Sequence, residues 1–127
     1  MRTYVITALA VLCIPSATWA QDIAAGETSF KKCQACHSIG EGATNKIGPP
    51  LNGLAGRKTG TMEGYDYSEA NKSAGIVWDD NTFKDYIQNP TAKIPGTKMM
   101  FAGIKNDKET ADLWGYLKQF GADGKKK

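Results

Sequence analysis

The sequence holds a single histidine, His37, and only three cysteines in 127 residues. One histidine cannot supply the nitrogens of a Cys2His2 zinc site, and there is no second cysteine pair to stand in for them. Long apolar runs are missing too. The longest, residues 4–14, falls well short of the roughly 20 residues that a membrane-spanning helix needs. An excess of either charge is lacking: 16 basic residues face 13 acidic ones, a formal net charge of +3. That balance is too mild for nucleic-acid binding, which calls for a strongly basic face.

The short apolar run has a different use. Arg2 precedes it, Pro15 and Ser16 break it, and Ala17-Thr18-Trp19-Ala20 puts small residues where a signal peptidase reads. This pattern predicts a secretory leader over 1–20, cleaved after Ala20, with a retained anchor as the alternative. The remaining 21–127 form one domain's length. Residues 1–20 hold one basic residue and no acidic one, so the remainder sets 15 basic residues against 13 acidic, a formal +2. A chain of this size gains from a large buried apolar group.

Cys13 leaves with the leader, so Cys33 and Cys36 are the cysteines that matter. They stand in Cys33-Gln34-Ala35-Cys36-His37, a C-x-x-C-H motif. Thiols three apart reach the two vinyl groups along one haem edge, and the adjacent histidine binds the iron. A disulfide is one rival, given an oxidising compartment. A thioredoxin-like redox pair is another, but it expects a strand before the motif and a helix after it. Here a helical pattern precedes Cys33, and Gly40, Gly42 and loop residues follow.

With haem attached, the lone histidine excludes bis-histidine ligation. The sixth iron position falls to a methionine, a lysine, an amine, water or nothing. Met62 lies in the glycine-flanked loop Gly60-Thr61-Met62-Glu63-Gly64 and is expected to face solvent. Met99 and Met100 lie between Pro95-Gly96 and Gly103, a tight non-helical loop. One of the two is the soft ligand that the pattern offers, unless both are core filler.

Helical periodicity predicts an all-α fold of about four to five helices. The first spans 22–32, with Asp22 as cap and Ile23, Gly26 and Phe30 on one face. A short one is expected over 68–72 and another over 81–88, closed by Asn89-Pro90. The last is capped at Asn106 or Asp107, carries Leu113, Tyr116, Leu117 and Phe120 at helical spacing, and ends at Gly121. The tail Lys125-Lys126-Lys127 is expected to fray. Residues 40–60, rich in glycine and carrying Pro49 and Pro50, form a long loop that must wrap around something.

Several further segments carry a resemblance: Gly26 and Phe30, Gly48-Pro49, Leu51-Asn52-Gly53-Leu54, and Gly56-Arg57-Lys58-Thr59-Gly60. Tyr65, Tyr67, Asn71, Trp78, Tyr86, Asn89-Pro90 and the 95–103 loop continue it in order. Over essentially all of 21–127 the chain resembles class I cytochromes c, of the short bacterial cytochrome c2 kind close to mitochondrial cytochrome c. The resemblance implies one covalent haem c on Cys33 and Cys36, with His37 and Met99 on the iron. It implies that the Pro49 carbonyl accepts from the His37 ring, and that Tyr67, Trp78 and Arg57 serve the propionates. Tyr86, Asn71 and Thr97 would stand on the methionine side, Phe101 beside the exposed haem edge, and Gly26 where the last helix crosses near Leu113 and Tyr116. The bland alternatives are an aromatic core role for Tyr67 and Trp78 and a solvated loop charge for Arg57.

The function implied is that of a periplasmic, monomeric electron carrier without membrane insertion, not an enzyme. A cytochrome bc complex would be its donor, and an oxidase, photosynthetic reaction centre or other reductase its acceptor. Lys31, Lys32, Lys46, Lys93, Lys98, Lys105 and Lys108 are expected to ring the haem edge, opposite an acidic back bearing Asp79, Asp80 and Asp85. Two functions compete: a catalytic or gas-binding haem protein with a vacant sixth site, and a subunit of a larger complex.

Overall fold

The computed structural model describes residues 21–127 and Ala10, so the cleavage expected after Ala20 falls outside the described residues. Five helices follow one another: α1 Ile23–Phe30, α2 Glu69–Ser73, α3 Asp80–Gln88, α4 Pro90–Lys93 and α5 Asp107–Leu117. Among the described residues there is no multi-residue strand, only isolated bridges pairing Lys58 with Val77 and Phe120 with Lys126. The predicted all-α class holds. No helix among them is long and apolar enough to cross a membrane.

Each helix starts where a side chain satisfies its free N–H groups. Asp22 accepts from the Ala25 amide, Ser68 from Asn71 and Asn106 from Glu109. Asp79 and Thr82 exchange bonds in a capping box at the head of α3. Asn89-Pro90 does end α3, but it also begins α4, the helix that the periodicity did not predict. Proline at the first helical position gives up no hydrogen bond, and Asn89 caps it by accepting from Ala92.

The frame is the crossing of α1 and α5. Gly26 makes it possible, since a Cβ there would lie 2.0 Å from the Asp112 carbonyl oxygen and 2.8 Å from Tyr116 Cβ. The contact is one residue N-terminal to the expected Leu113. Phe30 packs on Tyr116 at 5.5 Å between ring centres, and Phe83 of α3 stacks on Trp114 at 4.9 Å. Polar links lock the register: Ser29 Oγ donates to Glu109 at 2.8 Å, and the Asp22 amide donates to Asp112 Oδ1 at 2.8 Å.

Asp112 also accepts from Lys108 Nζ at 2.6 Å. The lysine bond first, and the Asp22 amide second, hold the carboxyl below its ordinary value. A depressed carboxylate adds stability above its unfolded pKa and loses it as pH falls through the folded one. Asp112→Asn is therefore expected to lower Tm at pH 7, and its gap to the parent protein to narrow as pH falls below the ordinary carboxylate range, measured by thermal melts across pH.

The tail does not fray. Helix α5 ends at Leu117 rather than running to Gly121, and the chain turns back on itself. The Gly121 amide donates to the Lys125 carbonyl and the Lys127 amide to the Gln119 carbonyl, each at 2.9 Å. Lys126 Nζ lies 5.7 Å from the Phe120 ring centre. Gly124 packs so closely on Gly40 that a Cβ would lie 2.3 Å from the Gly40 oxygen.

Candidate functional site

The long loops enclose a cavity of about 310 Å³, with a predominantly apolar lining. One wall is the motif. Helix α1 runs on through a turn in which the Cys36 and His37 amides donate to the Cys33 carbonyl, at 3.1 and 2.8 Å. One helical turn thus brings Cys33, Cys36 and His37 to the cavity together. The two cysteines are not joined in a disulfide. Burial, and then Cys36, push the Cys33 thiol up to about 11 against a smaller opposing pull from Lys32. A thioredoxin-like pair expects a strand before the motif and a helix after it, whereas here helix α1 precedes Cys33 and loops follow until α2.

His37 Nδ1 lies 2.7 Å from the Pro49 carbonyl oxygen. A carbonyl only accepts, so Nδ1 carries the proton and Nε2 keeps its lone pair free. Burial lowers the His37 pKa, with Arg57 and Lys46 adding to it and the Pro49 bond partly opposing it. The ring is thereby held neutral, the form that binds a metal. Gly48 completes this wall: a Cβ there would sit 2.4 Å from His37 Cε1. Asn52 also works here unforeseen. Its amide brackets Gly40, accepting from the Gly40 N–H and donating to the Gly40 carbonyl, each at 2.8 Å. The sequence signals were the Gly48-Pro49 and Asn52-Gly53 pairs, whose roles only packing reveals.

Met99 stands on the methionine loop that lines the same cavity. Its sulfur accepts from the Tyr86 hydroxyl at 3.1 Å, and its amide donates to Thr97 Oγ1 at 3.2 Å. Burial raises the Tyr86 pKa, with Thr97 and Asn71 nearby opposing the rise. Asn71 is fixed in turn by accepting from Ser68 Oγ at 2.8 Å. The neighbouring Met100 is 87% exposed. Met62, expected in solvent, is half-buried, and its amide donates to Tyr67 Oη at 3.0 Å. It is not among the cavity-lining residues.

A cytochrome c family profile matches residues 23–121. The chain belongs to the cytochrome c family. It is 68% identical over 107 residues to a cytochrome c2 of Rhodoplanes tepidamans, covering 84% of this chain and 100% of that protein. It is 66% identical over 102 residues to a cytochrome c-550 of Bradyrhizobium diazoefficiens, covering 80% and 75% respectively. Among solved structures, cytochrome cH from Methylobacterium extorquens is similar, with a TM-score of 0.71 and 43% identity over 76% of this chain and 97% of that one. As a cytochrome c the protein carries a haem c joined through Cys33 and Cys36, and it is an electron carrier rather than an enzyme.

The cavity fits that group. It offers two thiols and a neutral imidazole on one wall, a thioether on the loop that also lines it, and apolar surface from residues such as Leu51, Leu54 and Leu117. Trp78, Tyr67, Arg57 and Phe101 all line it. Trp78 is buried and packs edge-on against Tyr86 at 4.9 Å. Arg57 is no solvated loop charge: it is half-buried, and Nη1 donates to the Pro50 and Asn52 carbonyls at 3.1 and 3.0 Å.

The lysine arrangement departs from expectation. Lys32 and Lys98 line the cavity, joined there by Lys58, which was not expected. Lys32 pairs with Glu109, and Lys98 with Asp66 at 3.1 Å. Lys93 lies 3.6 Å from Asp85, so a residue expected on the basic ring and one expected on the acidic back adjoin each other. Neighbouring helices α3 and α4 bring the two together. Lys108 is likewise paired, with Asp112.

Proposed function

We propose that this cytochrome c is an exported, monomeric carrier of single electrons whose iron is held by His37 on one side and Met99 on the other. The observation that carries the reading is the Tyr86–Met99 contact: the structure spends a buried hydroxyl on one thioether and leaves the adjacent Met100 in solvent. With His37 and Met99 both bound, the haem would supply reversible one-electron chemistry and leave no open position for a substrate. The residues around it do the rest. Pro49 orients the imidazole and raises its donor strength. Tyr86, Thr97 and Asn71 fix the thioether, while Arg57, Tyr67 and Trp78 offer a cation and donors to the propionates. A fixed ligand set in an apolar cavity changes little on electron transfer.

Partners would meet the rim where Ile47, Phe101 and Met100 line the cavity, flanked by Lys32, Lys58 and Lys98. The pairing of two of these lysines tempers electrostatic steering without abolishing it. A bc-type complex upstream and an oxidase, reaction centre or other reductase downstream suit such a carrier. Cleavage after Ala20 would release residues 21–127 to the periplasm.

Potentiometric titration tests this reading. A carrier of single electrons follows a slope of about 59 mV per decade with a positive midpoint, whereas a dithiol couple follows about 29.6 mV. A two-electron or irreversible response would contradict it. Tyr86→Phe is expected to lower the midpoint by at most about 40 mV, the one-electron equivalent of a hydrogen bond worth about 1 kcal/mol. The hydroxyl withdraws electron density from the sulfur and so favours ferrous iron. An unchanged or raised midpoint would contradict that role.

A further inference from the structure

We propose that Met100 is a reversible oxidation site whose sulfoxide switches the cavity rim from apolar to polar. The proposal rests on the reading of that rim as the docking face. Two of the chain's methionines share one loop in opposite environments. Met99 is half-buried with its sulfur engaged by the Tyr86 hydroxyl, whereas Met100 is 87% exposed. Met62 is half-buried beside Tyr67. Met100 also lines the cavity together with Ile47, which is 74% exposed. Both are exposed apolar side chains on the cavity lining, and oxidation of one of them changes what a partner meets.

The oxidant is a peroxide. An oxygen atom passes from hydrogen peroxide to the Met100 sulfur, the O–O bond breaks, and an S–O bond forms. Sulfur loses two electrons and the peroxide leaves as water. The product is polar and chiral where the thioether was flexible and apolar, and sulfoxide reductases restore it. Oxidation at Met100 leaves the Met99 sulfur and its Tyr86 contact in place, so the rim changes while the iron ligand does not.

The test uses the haem-loaded protein exposed to one molar equivalent of hydrogen peroxide, with peptide mass mapping and an optical spectrum. Sulfoxide is expected at Met100 in at least tenfold excess over Met99 and Met62, with the far-red thioether band intact. Equal or faster oxidation at either of the others overturns the proposal. Electron self-exchange between oxidised and reduced copies then reads the rim. The Met100-oxidised protein and Met100→Gln are expected to exchange severalfold more slowly than the untreated protein, whereas Met100→Leu exchanges faster than Met100→Gln and is no longer slowed by peroxide treatment. If Ile47→Gln slows exchange and oxidised Met100 does not, the switch fails while the docking face stands. If neither slows exchange, the docking face fails and the switch with it.

Discussion

Met99→Ala is expected to abolish the far-red band of the ferric protein and to lower its midpoint potential by roughly a few hundred millivolts, while Met100→Ala changes neither appreciably. The contrast follows from two adjacent side chains in unlike surroundings. The Met99 sulfur is half-buried at the cavity and accepts from Tyr86, whereas Met100 reaches solvent. Axial ligands move haem potentials across about 0.8 V, and the thioether is the ligand that favours ferrous iron. Alanine would leave no soft donor at that place, because the neighbouring Met100 side chain turns to solvent. Met99→Ala should also destabilise the fold, by less than the roughly 2–5 kcal/mol that truncating a fully buried side chain costs, because Met99 is half-buried. Spectroelectrochemistry of the two variants decides the matter. If Met100→Ala were the variant that lost the band, the assignment of the loop's register would be wrong.

Gly26→Val is expected to remove at least about 3 kcal/mol of folding stability, the upper end of ordinary overpacking penalties. The reason is where the first added carbon lands. At 2.0 Å from the Asp112 carbonyl oxygen it meets backbone, not the yielding end of a side chain. Helices α1 and α5 must separate, and the Phe30–Tyr116 packing and the Ser29–Glu109 and Asp22–Asp112 bonds separate with them. For a domain of about 100 residues this corresponds to a Tm lowered by roughly 12 °C or more. Glu27→Ala, on the exposed side of the same helix, is expected to stay within about 0.5 kcal/mol. Paired thermal melts check both, and a Gly26→Val protein melting near the parent would refute the crossing as described.

Much of the site was legible because its chemistry is local in sequence. Cys33, Cys36 and His37 fall within one helical turn, so their spacing alone brings them to one wall. The helix starts were legible for the same reason: Asp22, Ser68 and Asn106 cap through amides three residues away. Where the outcome depends on partners far along the chain, local patterns gave little guidance. The lysine tail reads as frayed, yet it turns back on residues 119–121 because Phe120 and Lys126 pair and Gly124 seats on Gly40. Helix α4 is not legible because Pro90 after a helix marks a stop as readily as the first position of a new helix. Lys93 and Asp85 lie eight residues apart and were expected on opposite faces, until the turn between α3 and α4 brought them together.

The choice between Met99 and Met100 shows the same limit at the finest scale. Both residues have one side chain type, one loop and one set of flanking glycines. Only the resemblance to class I cytochromes c selected Met99. Physically, the choice is made by which way each side chain of the loop turns, and that is fixed by Thr97 Oγ1 holding the Met99 amide and Tyr86 holding its sulfur.

The most direct test of the account is the optical spectrum of the haem-loaded protein, ferric, ferrous, and ferrous under carbon monoxide. Ligation by His37 and Met99 predicts the weak far-red band in the ferric form and a ferrous spectrum that the gas leaves unchanged. A ferrous spectrum shifted by carbon monoxide would mean an open sixth position, and would contradict the carrier reading in favour of a catalytic or gas-binding one.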